Sequence, residues 1–221
     1  MMMRYFRYIA LLWIAAAFAE PFAACAHPHV FVEGKVTIIF DGNKRIKGIR
    51  NVWQFDKGYS AFAVVGLDTN GDGKLSPQEL APLAKVNVDS LAEYAYFTYL
   101  TIDKTQVAFK PPVDYFLVEG RGQLTLYFTL PLDRPASVTE NTLLEVFDRE
   151  YFIAFHFPEK DAVKLTHAPP GCSAAFHPPG VLDAATVTEL AAIPADQRNL
   201  PPALQNAAVG LTNLFTVACP G

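Results

Sequence analysis

Polar and apolar positions alternate most cleanly over residues 123–130, Gln-Leu-Thr-Leu-Tyr-Phe-Thr-Leu. That is the pattern of a strand with one buried and one wet face. Two longer runs rich in β-branched and aromatic residues, 29–40 and 45–55, flank Asp41-Gly42-Asn43 and predict a hairpin. Further strands are expected at 96–102, 107–109, 115–119, 143–147, 151–157 and 163–166, separated by turns of Asp, Gly and Pro.

The period changes between the hairpin and the later strands. Apolar residues recur at Leu80, Leu83, Ala84, Val88, Leu91 and Ala95, close to 3.6 residues apart, and predict a helix. Ser76-Pro77-Gln78-Glu79 reads as its start: a Ser cap, Pro in the first turn, and Glu three residues after the cap. A shorter helix is expected over 59–67. Beyond residue 170 the chain turns Ala- and Pro-rich, with a helix expected over 186–193 and a strand over 214–218. The fold class predicted is α+β, a mainly antiparallel β domain with a helix–loop–helix unit inserted after the first hairpin.

The loop of that unit carries the most specific chemistry in the chain. Residues 68–79 place Asp68, Asn70, Asp72, Ser76 and Glu79 at positions 1, 3, 5, 9 and 12 of an EF-hand-like calcium loop. Lys74 at position 7 contributes its backbone carbonyl, and Gly73 at position 6 allows the sharp turn. Leu75 is the apolar residue expected to anchor the loop. Convergent oxygens suit a hard cation, so Ca2+ is the expected cofactor, and a lone loop of this kind is expected to brace the fold.

The N-terminus reads as an export signal. Arg4 and Arg7 precede an apolar stretch over 8–18, and Ala24-Cys25-Ala26 forms a small-x-small cleavage site. Cleavage after Ala26 leaves His27 as the first residue; the alternative is lipoprotein processing at Cys25. The expected organisation is a signal peptide at 1–26, a β-rich domain at 27–170 and a C-terminal appendage at 171–221. Export to the periplasm places Cys172 and Cys219 in an oxidising compartment, where they are expected to form one disulfide that pins the appendage. A net charge of −4 argues against nucleic-acid binding, which needs a basic face.

Taken together, His27-Pro-His-Val-Phe-Val32, Trp53-Gln-Phe-Asp56, the loop 66–74, Tyr96-Phe-Thr-Tyr-Leu100, Tyr151-Phe-Ile-Ala154 and Gly171-Cys172 resemble a family of bacterial periplasmic proteins. That family is labelled a domain of unknown function and described as periplasmic components of uncharacterised ABC-type transport systems. Its genes often stand beside nickel/cobalt- or zinc-type permeases. The resemblance implies a non-enzymatic accessory role in metal-ion transport, with an inner-membrane metal permease or ABC transporter components as partners.

A transition-metal site would use the α-amine and imidazole of His27 with the imidazole of His29, donors that suit zinc, nickel, cobalt and copper. Pro28 has no N–H to lose, which excludes a square-planar site built on the second residue's backbone nitrogen. Asp56, Asp114, Glu119 and His156 are the candidates to complete it. His156, His167 and His177 otherwise read as solvated residues. Trp53, Phe55, Tyr94, Tyr96, Phe97 and Tyr99 read as core packing around the helical unit. There is no HExxH, Gly-x-Ser-x-Gly or P-loop motif, so no enzyme is expected. The alternative function is a calcium-stabilised structural or protein-interaction module with no transition-metal role.

Overall fold

The computed structural model describes residues 28–194, 197 and 199–220; the expected signal segment 1–26 and His27 lie outside the described residues. β1 (Val30–Phe40) and β2 (Ile46–Phe55) form the expected hairpin, with Val32 opposite Phe55 and Ile38 opposite Ile49. Its turn is closed by Asp41, whose Oδ1 accepts from Asn43 N at 2.8 Å and Arg45 N at 3.0 Å. Inward positions of β1 are buried and outward ones exposed, as period-two alternation requires.

β5 (Val113–Gly120) and β6 (Gln123–Ala136) continue the sheet antiparallel beyond β2. The other edge of β1 is shared by two short parallel partners. β8 (Ile153–His156) pairs with residues 30–33, and β9 (Val163–Thr166) pairs with residues 36–39. The first sheet is therefore mixed, with two parallel pairings in a fold that is mainly antiparallel as expected. β8 arrives from the second sheet running in the direction of β1, and β9 continues along the same edge.

A second sheet is antiparallel throughout. Its strands are β3 (Thr98–Ile102), β4 (Thr105–Val107), β7 (Thr142–Val146), β10 (Ser173–His177) and β11 (Asn213–Ala218), in the order β10-β11-β7-β3-β4. The inner faces of both sheets share one core with the buried face of the long helix α2 (Pro77–Leu91), through Leu80, Ala84 and Val88. Trp53 is at its centre, edge-on to Phe128 at 4.8 Å and Phe155 at 4.9 Å.

Helix α1 (Lys57–Ala63) starts and ends earlier than expected, because Asp56 caps it through Tyr59 N at 2.9 Å. Ser60 on α1 is buried; its hydroxyl accepts from Leu124 N at 2.9 Å and donates to Asp56 O at 2.6 Å, tying α1 to β6. The strand expected from residue 96 begins only at Thr98. Before it, Ala95, Tyr96 and Phe97 adopt positive φ in a 3-10 segment (Ala92–Phe97), which turns Phe97 into the core. The strand expected over 107–109 stands instead at β4, with Phe109 making only an isolated bridge to Leu132.

Residues after Gly171 supply two strands of the second sheet, and β10 has no counterpart in the periodicity. Between those strands lie α3 (Ala184–Ala191) and α4 (Pro202–Gly210), which share a small cluster of Leu190, Ile193, Leu200, Leu204 and Ala208. The expected disulfide joins Cys172, at the entry to β10, to Cys219, after β11. Among the described residues, no helix is long and apolar enough to cross a membrane.

Candidate functional site

Residues 68–79 connect α1 to α2 and are held in shape by their own side chains. Asp68 Oδ1 accepts from Gly71 N at 2.8 Å and Asp72 N at 3.2 Å, while Oδ2 accepts from Gly73 N at 2.9 Å. Asn70 Oδ1 accepts from Asp72 N at 2.9 Å, and Asp72 Oδ1 from Lys74 N at 2.8 Å. Gly73 has φ +78°, a conformation that a side chain disfavours. Leu67 and Leu75 pack the two ends of the loop against the core.

Glu79 closes the loop from α2. Its Oε2 accepts from Ser76 N at 2.9 Å and Ser76 Oγ at 2.7 Å, completing a capping box with Ser76. Its Oε1 accepts from Thr69 N at 2.8 Å and Thr69 Oγ1 at 2.9 Å, ten residues back at the loop's start. The Ser76 backbone N–H, with the Ser76 hydroxyl and the Thr69 donors, holds the Glu79 carboxyl down at about 2. Position 12 is thus charged and folded back onto position 2.

Among the described residues, no three His, Cys, Asp or Glu side chains converge as a metal cluster. A calcium loop also draws on neutral oxygens, which here are Asn70 Oδ1, Ser76 Oγ and the Lys74 carbonyl. Asp68 Oδ2 and Asp72 Oδ1 each accept one N–H and keep a second lone pair. Asp68 Oδ1 and both Glu79 oxygens accept two or more donors and would exchange some of them for an ion. The donor set of Asp68, Asn70, Asp72, Lys74, Ser76 and Glu79 fits a hard cation in chemistry and in order along the loop.

The histidine end is less assembled. His29 stacks on Phe152 with ring centroids 4.5 Å apart, and its backbone N–H donates to Phe152 O at 2.9 Å. Asp56 lies at the same end of the sheet, with Oδ1 accepting from Tyr59 N and Oδ2 from Phe31 N, both at 2.9 Å. His156 is the register partner of Glu33, four residues up the strand from His29, roughly 13 Å away. Asp114 and Glu119 lie on β5, three strand spacings from β1, roughly 14 Å. Of the residues proposed to complete the site, only Asp56 is placed near His29. His27 lies outside the described residues.

The other sequence candidates divide by burial. His156, His167 and His177 are exposed, and His177 Nε2 lies 3.0 Å from Thr216 Oγ1. Trp53, Phe55, Phe97 and Tyr99 are core residues as expected, whereas Tyr94 is 43% exposed and Tyr96 half-buried. Asp56 had a local signal as a cap, standing before an Ala-rich run. The buried Asp148 had none: Asp-Arg-Glu-Tyr reads as an ordinary polar turn.

Two relatives are similar over much of this length. A Haemophilus influenzae protein, named only as uncharacterized, is 26% identical over 163 residues, covering 72% of this chain and 77% of its own. An uncharacterized 15.5 kDa protein encoded in the trpE 3′ region of Spirochaeta aurantia is 28% identical over 102 residues, covering 46% of this chain and 73% of its own. The model of a family described as "Protein of unknown function (DUF1007)" matches residues 11–219, so the chain belongs to that family.

Proposed function

We propose that this chain is a non-enzymatic, exported accessory protein whose fold is braced by one calcium ion in residues 68–79. The observation that supports this reading is the return of Glu79 from α2 to Thr69, which closes the two ends of the loop on each other. Asp68, Asn70, Asp72, Ser76 and Glu79 would hold the ion through side chains, and Lys74 through its carbonyl. The ion would supply a fixed crosslink between α1 and α2, and through them between β2 and β3. A single loop suits a brace, since sensor loops work by opening a helix pair.

The test is the melting temperature of the protein in chelator and in calcium up to about 10 mM, above the ~10⁻⁴–10⁻³ M range of extracellular modules. Calcium should raise it, and Asp68→Ala should remove the response. An unchanged melting curve at all concentrations refutes the brace.

The metal-transport role implied by the resemblance is a second reading, with a metal permease or ABC transporter components as partners. It is favoured by one observation: the His29 ring is held by stacking on Phe152 at the start of β1, close behind His27. Protein beginning at an authentic His27 should bind zinc, nickel, cobalt or copper, and His29→Ala should weaken that binding. Equal binding by the variant refutes a site at this end.

A further inference from the structure

A cavity of about 290 Å³ opens between the inner face of the first sheet, the C-terminal half of α2 and the loop joining β7 to β8. It sits at the end of α2 remote from residues 68–79. Its volume is at the lower edge of the ~300–1,000 Å³ range of small-ligand pockets. Six aromatic residues line it: Trp53 and Phe55 from β2, Tyr59 from α1, Tyr94 and Phe97 after α2, and Phe152 from the loop. Natural cores fill such space to the density of an organic crystal, so an aromatic-lined hollow left open at the edge of one is unusual.

The charged groups in the lining are all of one sign. Asp148 and Glu150 line the cavity, and none of its described lining residues is Lys, Arg or His. Asp148 is 5% exposed. Its Oδ1 accepts from Glu150 N and its Oδ2 from Ile153 N, both at 2.9 Å, which fixes the carboxyl in place without neutralising it. No ion pair among the described residues reaches it. Arg149, between the two acids in sequence, lies over the Tyr99 ring at 4.9 Å, and Tyr99 is outside the lining. Burial pushes the Asp148 carboxyl above the usual carboxylate range despite those N–H donors.

Neutral polar groups complete the chamber. The indole N–H of Trp53 is buried and has no hydrogen-bond partner among the described residues. The Asn87 side chain lies beside the Tyr59 hydroxyl, although its Nδ2 completes no hydrogen bond of ordinary geometry. A buried carboxylate with no ion-pair partner among the described residues and a set of aromatic faces have one ligand chemistry in common. Both are stabilised by a positive charge, the first by ion pairing and the second through the ring quadrupole.

We propose that this cavity binds a small organic cation with an aromatic or other apolar body, its ammonium directed to Asp148 and Glu150 and its body against the aromatic walls. An anion of the same shape is rejected, because it would bring a second negative charge beside the buried Asp148. The proposal rests on neither the calcium reading nor the histidine reading.

The test is calorimetric titration of the purified protein with three probes on one frame: phenethylammonium, 2-phenylethanol and phenylacetate. Each is run with and without calcium, so that effects of the loop are separated from those of the cavity. The cation should bind about tenfold or more tightly than the anion, with the alcohol between them. The NMR signal of the Trp53 indole N–H, identified by its loss in Trp53→Phe, should move with the bound fraction. Asp148→Asn should remove most of the preference for the cation over the alcohol, and Glu150→Gln part of it. If Asp148→Asn does not fold, Glu150→Gln and the probe ranking on the unaltered protein decide. Phenylacetate binding as well as phenethylammonium, no binding by any probe, or an unchanged ranking in the folded variants overturns the proposal.

Discussion

Gly34 is the position where one added carbon should do most harm. It faces inward on β1 at the gap between its two parallel partners: β8 pairs up to Glu33, and β9 pairs from Val36. The chain leaving β8 drops Phe157 into that gap. A Cβ built on Gly34 would stand 2.5, 2.7 and 2.9 Å from three carbons of the Phe157 ring. Carbon atoms in contact prefer ~3.5–4.0 Å, so the ring or the strand must yield by about 1 Å. The ring has little room, being 2% exposed and edge-on to Phe215 at 5.1 Å.

Two effects oppose each other in Gly34→Ala. Overpacking costs ~1–3 kcal/mol, whereas replacing Gly by Ala in a strand recovers roughly 0.5–1 kcal/mol of chain entropy, leaving at the middle of both ranges a net loss of about 1.25 kcal/mol. With a urea slope of ~2 kcal/mol/M, the midpoint should fall by roughly 0.5–1 M. Urea unfolding followed by circular dichroism measures it. The same substitution in a Phe157→Leu background, where the ring is gone, should cost nothing or stabilise. A Gly34→Ala protein as stable as the original, or an equal loss in both backgrounds, would show that this contact does not limit the packing.

Ser60→Ala removes the hydroxyl that accepts from the buried Leu124 N–H and should cost ~1–3 kcal/mol in the same urea assay; a neutral effect refutes the tie between α1 and β6. Cys172→Ser opens a link between residues 47 apart and should cost about 4 kcal/mol in the chain-entropy model, with reduction of the unaltered protein reproducing the loss. For Glu79 the folded-state value, about 2, lies below the ordinary 4.5. Its contribution is therefore present above 4.5 and lost as pH falls from there through 2. In chelator, the melting-temperature gap between the original and Glu79→Gln should close over that acid range, and a gap independent of pH refutes the hydrogen-bonded carboxylate.

The start of α2 was legible in the sequence residue by residue, whereas α1 was displaced from its expected bounds. Ser76, Pro77 and Glu79 act within one turn, so the capping box follows from their spacing alone. The hairpin was equally local, with Asp41 closing its own turn. Errors arose where a residue's role depends on a distant one. Tyr96 and Phe97 have strand-forming side chains, but the core draws Phe97 inward and the backbone turns to follow. β10 is a run of Ser, Ala, Ala, Phe and His whose strand character comes from pairing with β11.

The sequence by itself determined the calcium-loop pattern, the two cysteines that pair and the strand-rich class, because each depends on short spacings or on counts. Only the tertiary structure decided that Asp56 also accepts from Phe31 N on β1, that Asp114 and Glu119 stand far from His29, and that Asp148 faces an aromatic chamber. Those placements follow from strand order and from a crossover that sets two parallel strands on β1, and nothing in residues near them in the chain encodes either. Residues 68–79 carry their chemistry in their own order, whereas the cavity exists only once β2, α2 and the loop after β7 have met.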